Sequence, residues 1–175
     1  MDKSEMRFAM SKICTRNPDF QLWPAGPEAA PLVLEFMKKL GVYQKMEAAV
    51  TATAAGLAEL LKSGQGEAVF GDYRGKTVAF AWFYGNSSAF IGQSGIYIDA
   101  FYVDEEARGQ GLGKIILAWL AKTAAERGCQ RLEWNCLDWN TPAIQFYSRY
   151  GACCMDTMRT YRLSFQKLRE MAENL

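Results

Sequence analysis

The chain of 175 residues contains no histidine. That absence removes every Ser-His-Asp triad and most zinc sites, which take imidazole as a ligand. It also leaves its cysteines without the imidazole that usually activates a nucleophilic thiol. The five cysteines, Cys14, Cys129, Cys136, Cys153 and Cys154, are odd in number and match no zinc spacing. Adjacent Cys153 and Cys154 cannot bridge each other without strain. The expectation is reduced thiols, no bound metal and a cytoplasmic chain. Charge imbalance is also lacking. A net charge of +1 fits neither a nucleic-acid binder nor a polybasic membrane anchor. No apolar run approaches the roughly 20 residues that span a bilayer. The first residues hold no apolar h-region, so no secretory signal is expected there. Repeats, linkers and low-complexity segments are missing too.

Half of the residues are hydrophobic, enough for one domain with a real core. Residues 1–18 read as a flexible N-terminal extension, and 19–175 as a single domain. Residues 20–23 read as a strand ended by Pro24. The stretch 26–41 reads as a helix, with Leu32, Phe36 and Leu40 at helical spacing and Gly41 as its stop. A second helix is expected over 51–64. The pattern then turns to β, with apolar runs at 68–72 and 76–84 around a Tyr73-Arg74-Gly75 turn, and a β-type run over 95–109. Helices are predicted over 114–128 and, with Pro142 in the first turn, over 141–151. A strand at 129–138 lies between them. Residues 152–165 read as one or two strands and the tail as helix. This order predicts a three-layer α/β domain.

The stretch Arg108-Gly109-Gln110-Gly111-Leu112-Gly113-Lys114 joins a predicted strand to a predicted helix. Helix N-termini present unpaired N–H groups and partial positive charge, and glycines let an anion come close. A nucleoside-triphosphate loop would need Gly at 108 and Ser or Thr at 115; Arg108 and Ile115 stand there. The dinucleotide pattern G-x-G-x-x-G is not matched either. What fits is R-x-x-G-x-G at a helix start, filled by Arg108, Gly111 and Gly113. A glycine-rich helix entry without a ligand is the competing reading.

Around this loop lie "IYIDAFYVDEEARGQGLG" and "LDWNTPAIQFYSRYGA", whose Trp139–Ala152 block is the most specific piece. Together with 38–50 and the Tyr161-Arg162-Leu163 ending, they resemble the GNAT superfamily of N-acetyltransferases, in particular its spermidine/spermine and thialysine branch. The resemblance covers about residues 20–170. It implies a GNAT fold: a mixed, mostly antiparallel sheet with splayed central strands and helices on both faces. It also implies acetyl-CoA as co-substrate, a small-molecule amine as acceptor and a homodimer with composite sites. Phe101, Tyr102 and Val103 would bond the pantetheine arm through their backbone, and Gly109 to Lys114, including Gln110 and Leu112, would cradle the pyrophosphate. Asn140 and Ala143 would meet the cofactor at the next helix. Tyr147 would be the general acid near the thioester sulfur.

The chemistry is consistent with those roles. An alkylammonium of pKa about 10.4 costs about 4–5 kcal/mol to deprotonate at pH 7, so a base or a water chain to one is useful. Asp99 is the best candidate base and Glu133 a weaker one. A phenol is mostly protonated at neutral pH and can donate to a departing thiolate. Plain readings stand beside these: Tyr147 as helix packing, Asn140 as a cap, Asp99 as a solvated strand residue, and Tyr97, Phe101, Tyr102 and Trp134 as sheet packing with some pocket lining.

The acceptor side is expected to involve Tyr43, Gln44, Asp99, Glu133, Trp134, Asn135 and Arg159. Here the sequence departs from the polyamine pattern. Gln44 and Arg159 stand where that branch has acids, and its Glu-Asp pair reads Asp99-Ala100. An amine of low positive charge is therefore expected, with a carboxylate that could pair with Arg159. Protein or peptide acetylation, and a non-catalytic acyl-CoA binder, are the alternatives.

Overall fold

A computed structural model describes residues 12–175. They form two compact units, one ending at Asn135 and the other Cys136–Leu175. The first carries β1 (Ile13–Cys14), β2 (Phe20–Pro24), α1 (Ala30–Gln44), α2 (Ala54–Ser63), β3 (Glu67–Tyr73), β4 (Lys76–Ser88), β5 (Gln93–Val103), α3 (Leu112–Glu126) and β6 (Arg131–Trp134). The second carries α4 (Thr141–Arg149) and α5 (Phe165–Ala172). Of the expected extension 1–18, residues 1–11 lie outside the described residues, while Ile13 and Cys14 pair with Leu22 and Gln21.

The six strands lie in sequence order. All neighbours are antiparallel except β5 and β6, which α3 connects in parallel. Between β3 and β4 the turn residues Arg74 and Gly75 have φ of 50° and 81°. Two positive φ values make a two-residue turn whose twist suits a hairpin.

Alternation along the strands sends side chains to two cores. On one face Phe20, Val69, Ala79, Ala81 and Phe83 pack with Leu112, Ile116, Leu120 and Ala124, the apolar stripe of α3. On the other, Trp23, Phe70, Phe80 and Trp82 pack with Val33, Phe36 and Leu40 of α1 and Leu57 of α2. The sheet is thus a middle layer between helices, as the order of elements predicts.

Two sequence expectations are corrected. Gly41 does not end α1, which continues to Gln44 and stops at Lys45 in the left-handed conformation, φ 57°. Gly41 is instead a packing residue: a Cβ there would sit 2.8 Å from Val50 Cγ2. Residues 152–165 form no strand before α5 begins at Phe165. An extended pattern becomes a strand only when an adjacent edge accepts its hydrogen bonds, and among the described residues the sheet's ladders run from β1 to β6. The end signals at Gly64, Gly128 and Gly151 do hold, with φ of 72°, 69° and 83°.

Candidate active site

The site is built around the end of β5. Its parallel ladder with β6 runs from Gly95↔Arg131 to Ile98↔Trp134, and β5 then continues alone of the pair to Val103. Phe101, Tyr102 and Val103, where the resemblance implies a splay, lie beyond the last of these pairs.

A bulge marks the same point. Against β4, Phe83 pairs with Ile98 and Trp82 with Ala100, so Asp99 is the extra residue. The insertion reverses the alternation. Before it Ile96 and Ile98 face the α3 core; after it Phe101 and Val103 do, while Ala100 and Tyr102 turn to the α1 side. Asp99, at the reversal, is exposed, whereas Ala100 is buried.

Tyr84 joins Asp99 here, a neighbour that the linear sequence does not disclose. It pairs with Tyr97 across the strands, ring centroids 5.4 Å apart. Burial pushes its phenol above the ordinary value, and the charge of Asp99 pushes it further. Its strand alternation could have marked it as half-buried, but its nearness to Asp99 follows from the bulge.

Glu133 is differently placed. Its Oε2 accepts from Asn86 Nδ2 at 3.2 Å and lies 3.0 Å from Arg131 Nε. The latter is an ion pair without aligned hydrogen-bond geometry, since Arg131 Nε has no hydrogen-bond partner by angle. Arg131 reaches on to the Ser87 carbonyl at 3.2 Å. The cluster lies over Gly95, where a Cβ would meet Asn86 Oδ1 at 2.6 Å and Arg131 Cγ at 2.7 Å. Glu133 is therefore engaged in tying β6 to β4. Trp134 ends β6 and packs against the α3 core; Asn135 follows it, exposed.

Beyond Val103 a short 3-10 turn, Glu105–Ala107, leads into the glycine loop. Gly109 and Gly111 both have φ of 76°, which only glycine adopts without strain, and nothing lies within 4 Å of a Cβ built on either. Gly111 caps α3 without a side-chain acceptor. The first helical bond there runs from Ile115 N–H to the Gly111 carbonyl, so the N–H groups of Leu112 and Gly113 point out of the helix end. Open space above a left-handed glycine loop, against an uncapped helix N-terminus, suits a pyrophosphate. The exposed side chains of Gln110 and Lys114 flank that space, and Leu112 is buried beneath.

Arg108, just before the first of these glycines, is exposed. Its Nε donates to the Val103 carbonyl at 2.9 Å, and its guanidinium stacks on Tyr43, 4.5 Å from the ring centroid, with Tyr102 at 5.7 Å. Tyr43 and the half-buried Gln44 belong to the last turn of α1. One turn earlier Lys39 bridges Glu35 at 3.2 Å and Asp104 at 3.4 Å. Burial alone would lower Lys39, but those carboxylates outweigh it and the ammonium is held above the ordinary 10.5.

Tyr84, Tyr102 and Lys39 are all raised from ordinary values of 10.0 or 10.5: Tyr102, like Tyr84, by burial first, then by nearby Asp104. The fold favours the protonated form of each. Their contribution is intact below about pH 10 and declines as pH rises through the raised values. Melting temperature should fall between about pH 10 and 12, and less steeply in Tyr84→Phe.

Asn140, Ala143, Tyr147 and Arg159 lie in the second unit. Asn140 is buried, and its Oδ1 accepts the Ala143 N–H at 3.3 Å, capping α4. The capping expectation holds, and it occupies the Ala143 N–H. Tyr147 sits on α4 with Phe146 edge-on at 5.3 Å. Arg159 is exposed outside any helix or strand.

A left-handed glycine loop at an uncapped helix start, beside the end of a strand that continues past its last pairing with β6, offers a place for an extended ligand that carries phosphate. The chain belongs to the GNAT acetyltransferase family: the description "Acetyltransferase (GNAT) family" matches residues 44–152, more than half of its length. It is similar to the thialysine N-epsilon-acetyltransferase of Bos taurus, 28% identical over 80% of this chain and 89% of that one. It is also similar to the L-ornithine N5-acetyltransferase of Arabidopsis thaliana, 38% identical over 49% of this chain, spanning 37% of that protein. Among solved structures, an integron cassette protein of V. cholerae superposes with a TM-score of 0.72 at 23% identity, over 89% of this chain and 98% of that one. An aminoglycoside acetyltransferase from an uncultured soil metagenomic sample gives a TM-score of 0.71 at 20% identity, over 83% and 99% of the two chains. No helix among the described residues is long and apolar enough to cross a membrane.

Proposed function

We propose that this chain transfers the acetyl group of acetyl-CoA directly to the primary amine of a small molecule of low positive charge. The observation that carries the donor is the loop, with Gly109 and Gly111 left-handed and open at the uncapped start of α3. Acetyl-CoA supplies the activated thioester. The chain supplies a β5 end that has left its neighbour, where backbone groups of residues 101–103 orient the pantetheine as an added strand would. Asp99 takes the proton of the incoming ammonium, directly or through water. Its exposure at the bulge supports that role, as does the engagement of Glu133 elsewhere. Tyr147 donates the proton that the departing thiolate needs.

The acceptor follows from the charges. Ala100 is buried against α1 and Gln44 is neutral, while Arg159 is exposed and cationic. Of the positions where the polyamine branch carries acids, Asp99 alone offers a carboxylate here, which suits a trivalent polyamine poorly. An amino acid with a side-chain amine offers the same nucleophile and a carboxylate for Arg159. The names of the bovine and Arabidopsis relatives, thialysine and ornithine acetyltransferases, agree with that class. Thiol release should be measured over polyamines, amino acids, aminoglycosides and peptides. Thialysine and ornithine should exceed spermidine in kcat/KM; a clear preference for spermidine would overturn the assignment.

We further assign the chain to the cytoplasm and to a homodimer. Five free thiols support the first. Exposed Met155, Met158, Tyr161 and Leu163 support the second, because apolar side chains clustered along one segment mark a surface that a partner covers.

A further inference from the structure

Tyr43, which the family resemblance puts on the acceptor side, has its ring engaged by Arg108, the residue that opens the glycine loop. We propose that Tyr43 is a positioning residue for the acetyl-CoA pyrophosphate, acting through Arg108 rather than by touching the amine. The proposal rests on the acetyltransferase reading.

No atom lies within 4 Å of a Cβ built on Gly109 or Gly111, so the chain packs little against that side of the loop. Arg108 is the residue just before Gly109, and among the described residues its side chain meets the Val103 carbonyl, the Tyr43 ring and the Tyr102 ring. Two of them, Val103 and Tyr102, lie on β5; Tyr43 alone comes from α1. That helix is in turn locked to the β5 end by the buried Phe36, whose ring meets Tyr102 edge-on at 6.3 Å, and by the Lys39–Asp104 bridge. Tyr43 thus transmits the position of a packed helix to the first residue of the loop. A guanidinium stacked and hydrogen-bonded in this way is committed to orienting backbone, and its planar face suits stacking as an ammonium would not.

The test compares Tyr43→Leu, Tyr43→Phe and Arg108→Gln in the full chain. CoA affinity is read by calorimetry, and acetyl transfer is measured with acetyl-CoA and with S-acetylpantetheine, which lacks the pyrophosphate. Tyr43→Leu should weaken CoA binding roughly fivefold, the size of a partly exposed cation–π contact. Tyr43→Phe keeps the ring and should restore affinity. Tyr43→Leu should lose more activity with acetyl-CoA than with S-acetylpantetheine, a difference that a general loss of folding could not produce. The double variant with Arg108→Gln should lose no more than Arg108→Gln alone, because the two residues act through one contact. Should Tyr43→Leu not fold, Arg108→Gln carries the same contrast between the two donors. Unchanged CoA affinity in Tyr43→Leu with a raised KM for the amine overturns the proposal and returns Tyr43 to the acceptor. A wild type that binds no CoA overturns the acetyltransferase reading as well.

Discussion

Replacing Tyr147 by Phe should lower kcat by about 100-fold or more while leaving CoA affinity in place, the size expected when a general acid is removed. Thiolate departs poorly unless protonated, and a phenol ordinarily carries its proton at neutral pH. The substitution keeps the ring, so the edge contact with Phe146 and the packing of α4 are retained. Steady-state kinetics with a calorimetric Kd for CoA separate the two effects. A kcat equal to wild type would remove Tyr147 from the mechanism and leave it as a packing residue of the helix.

Asp99→Asn should have a comparable effect, again about 100-fold on kcat at neutral pH, with a different pH signature. The carboxamide fits the same bulge but cannot take a proton. The acceptor must then arrive already neutral, and its neutral fraction rises tenfold for each pH unit below an amine pKa of about 10.4. The deficit should therefore shrink steadily between about pH 7 and 9, whereas a variant that merely misplaces the amine would lose activity evenly across pH. A flat deficit would assign Asp99 to binding. Glu133→Gln should behave otherwise, weakening the Arg131 and Asn86 contacts of β6 without that pH dependence, because its carboxylate is already engaged.

Much of this was legible in the residues because much of it is local. A helix start after a strand, with glycines at 109 and 111, reads as an anion cradle, since both the helix-end N–H groups and the left-handed glycines act within a few residues of one another. The strand alternations around 68–72 and 76–84, the Arg74-Gly75 turn and the Asn140 cap are likewise short-range. Gly41 misled because a glycine near a helix end reads as a stop, while here the reason for it is Val50, brought close by the chain's return after α1. Residues 152–165 misled because alternation describes an extended chain but says nothing of an edge to pair with.

What the linear pattern could not contain is register. The residue at which a strand bulges depends on its pairing with another strand, and that alone put Asp99 out in solvent, Ala100 into the core and Tyr84 beside the carboxylate. The partner of an arginine is likewise a matter of distance in space. Arg108 fits the phosphate motif by position, yet its guanidinium found two aromatic rings and a carbonyl supplied by α1 and β5. The sequence by itself determined which chemical groups are present and where a phosphate cradle would form, because those follow from neighbouring residues. Only the tertiary structure decided which carboxylate is exposed and what the arginine holds, because strand pairing and helix packing join residues far apart in the chain.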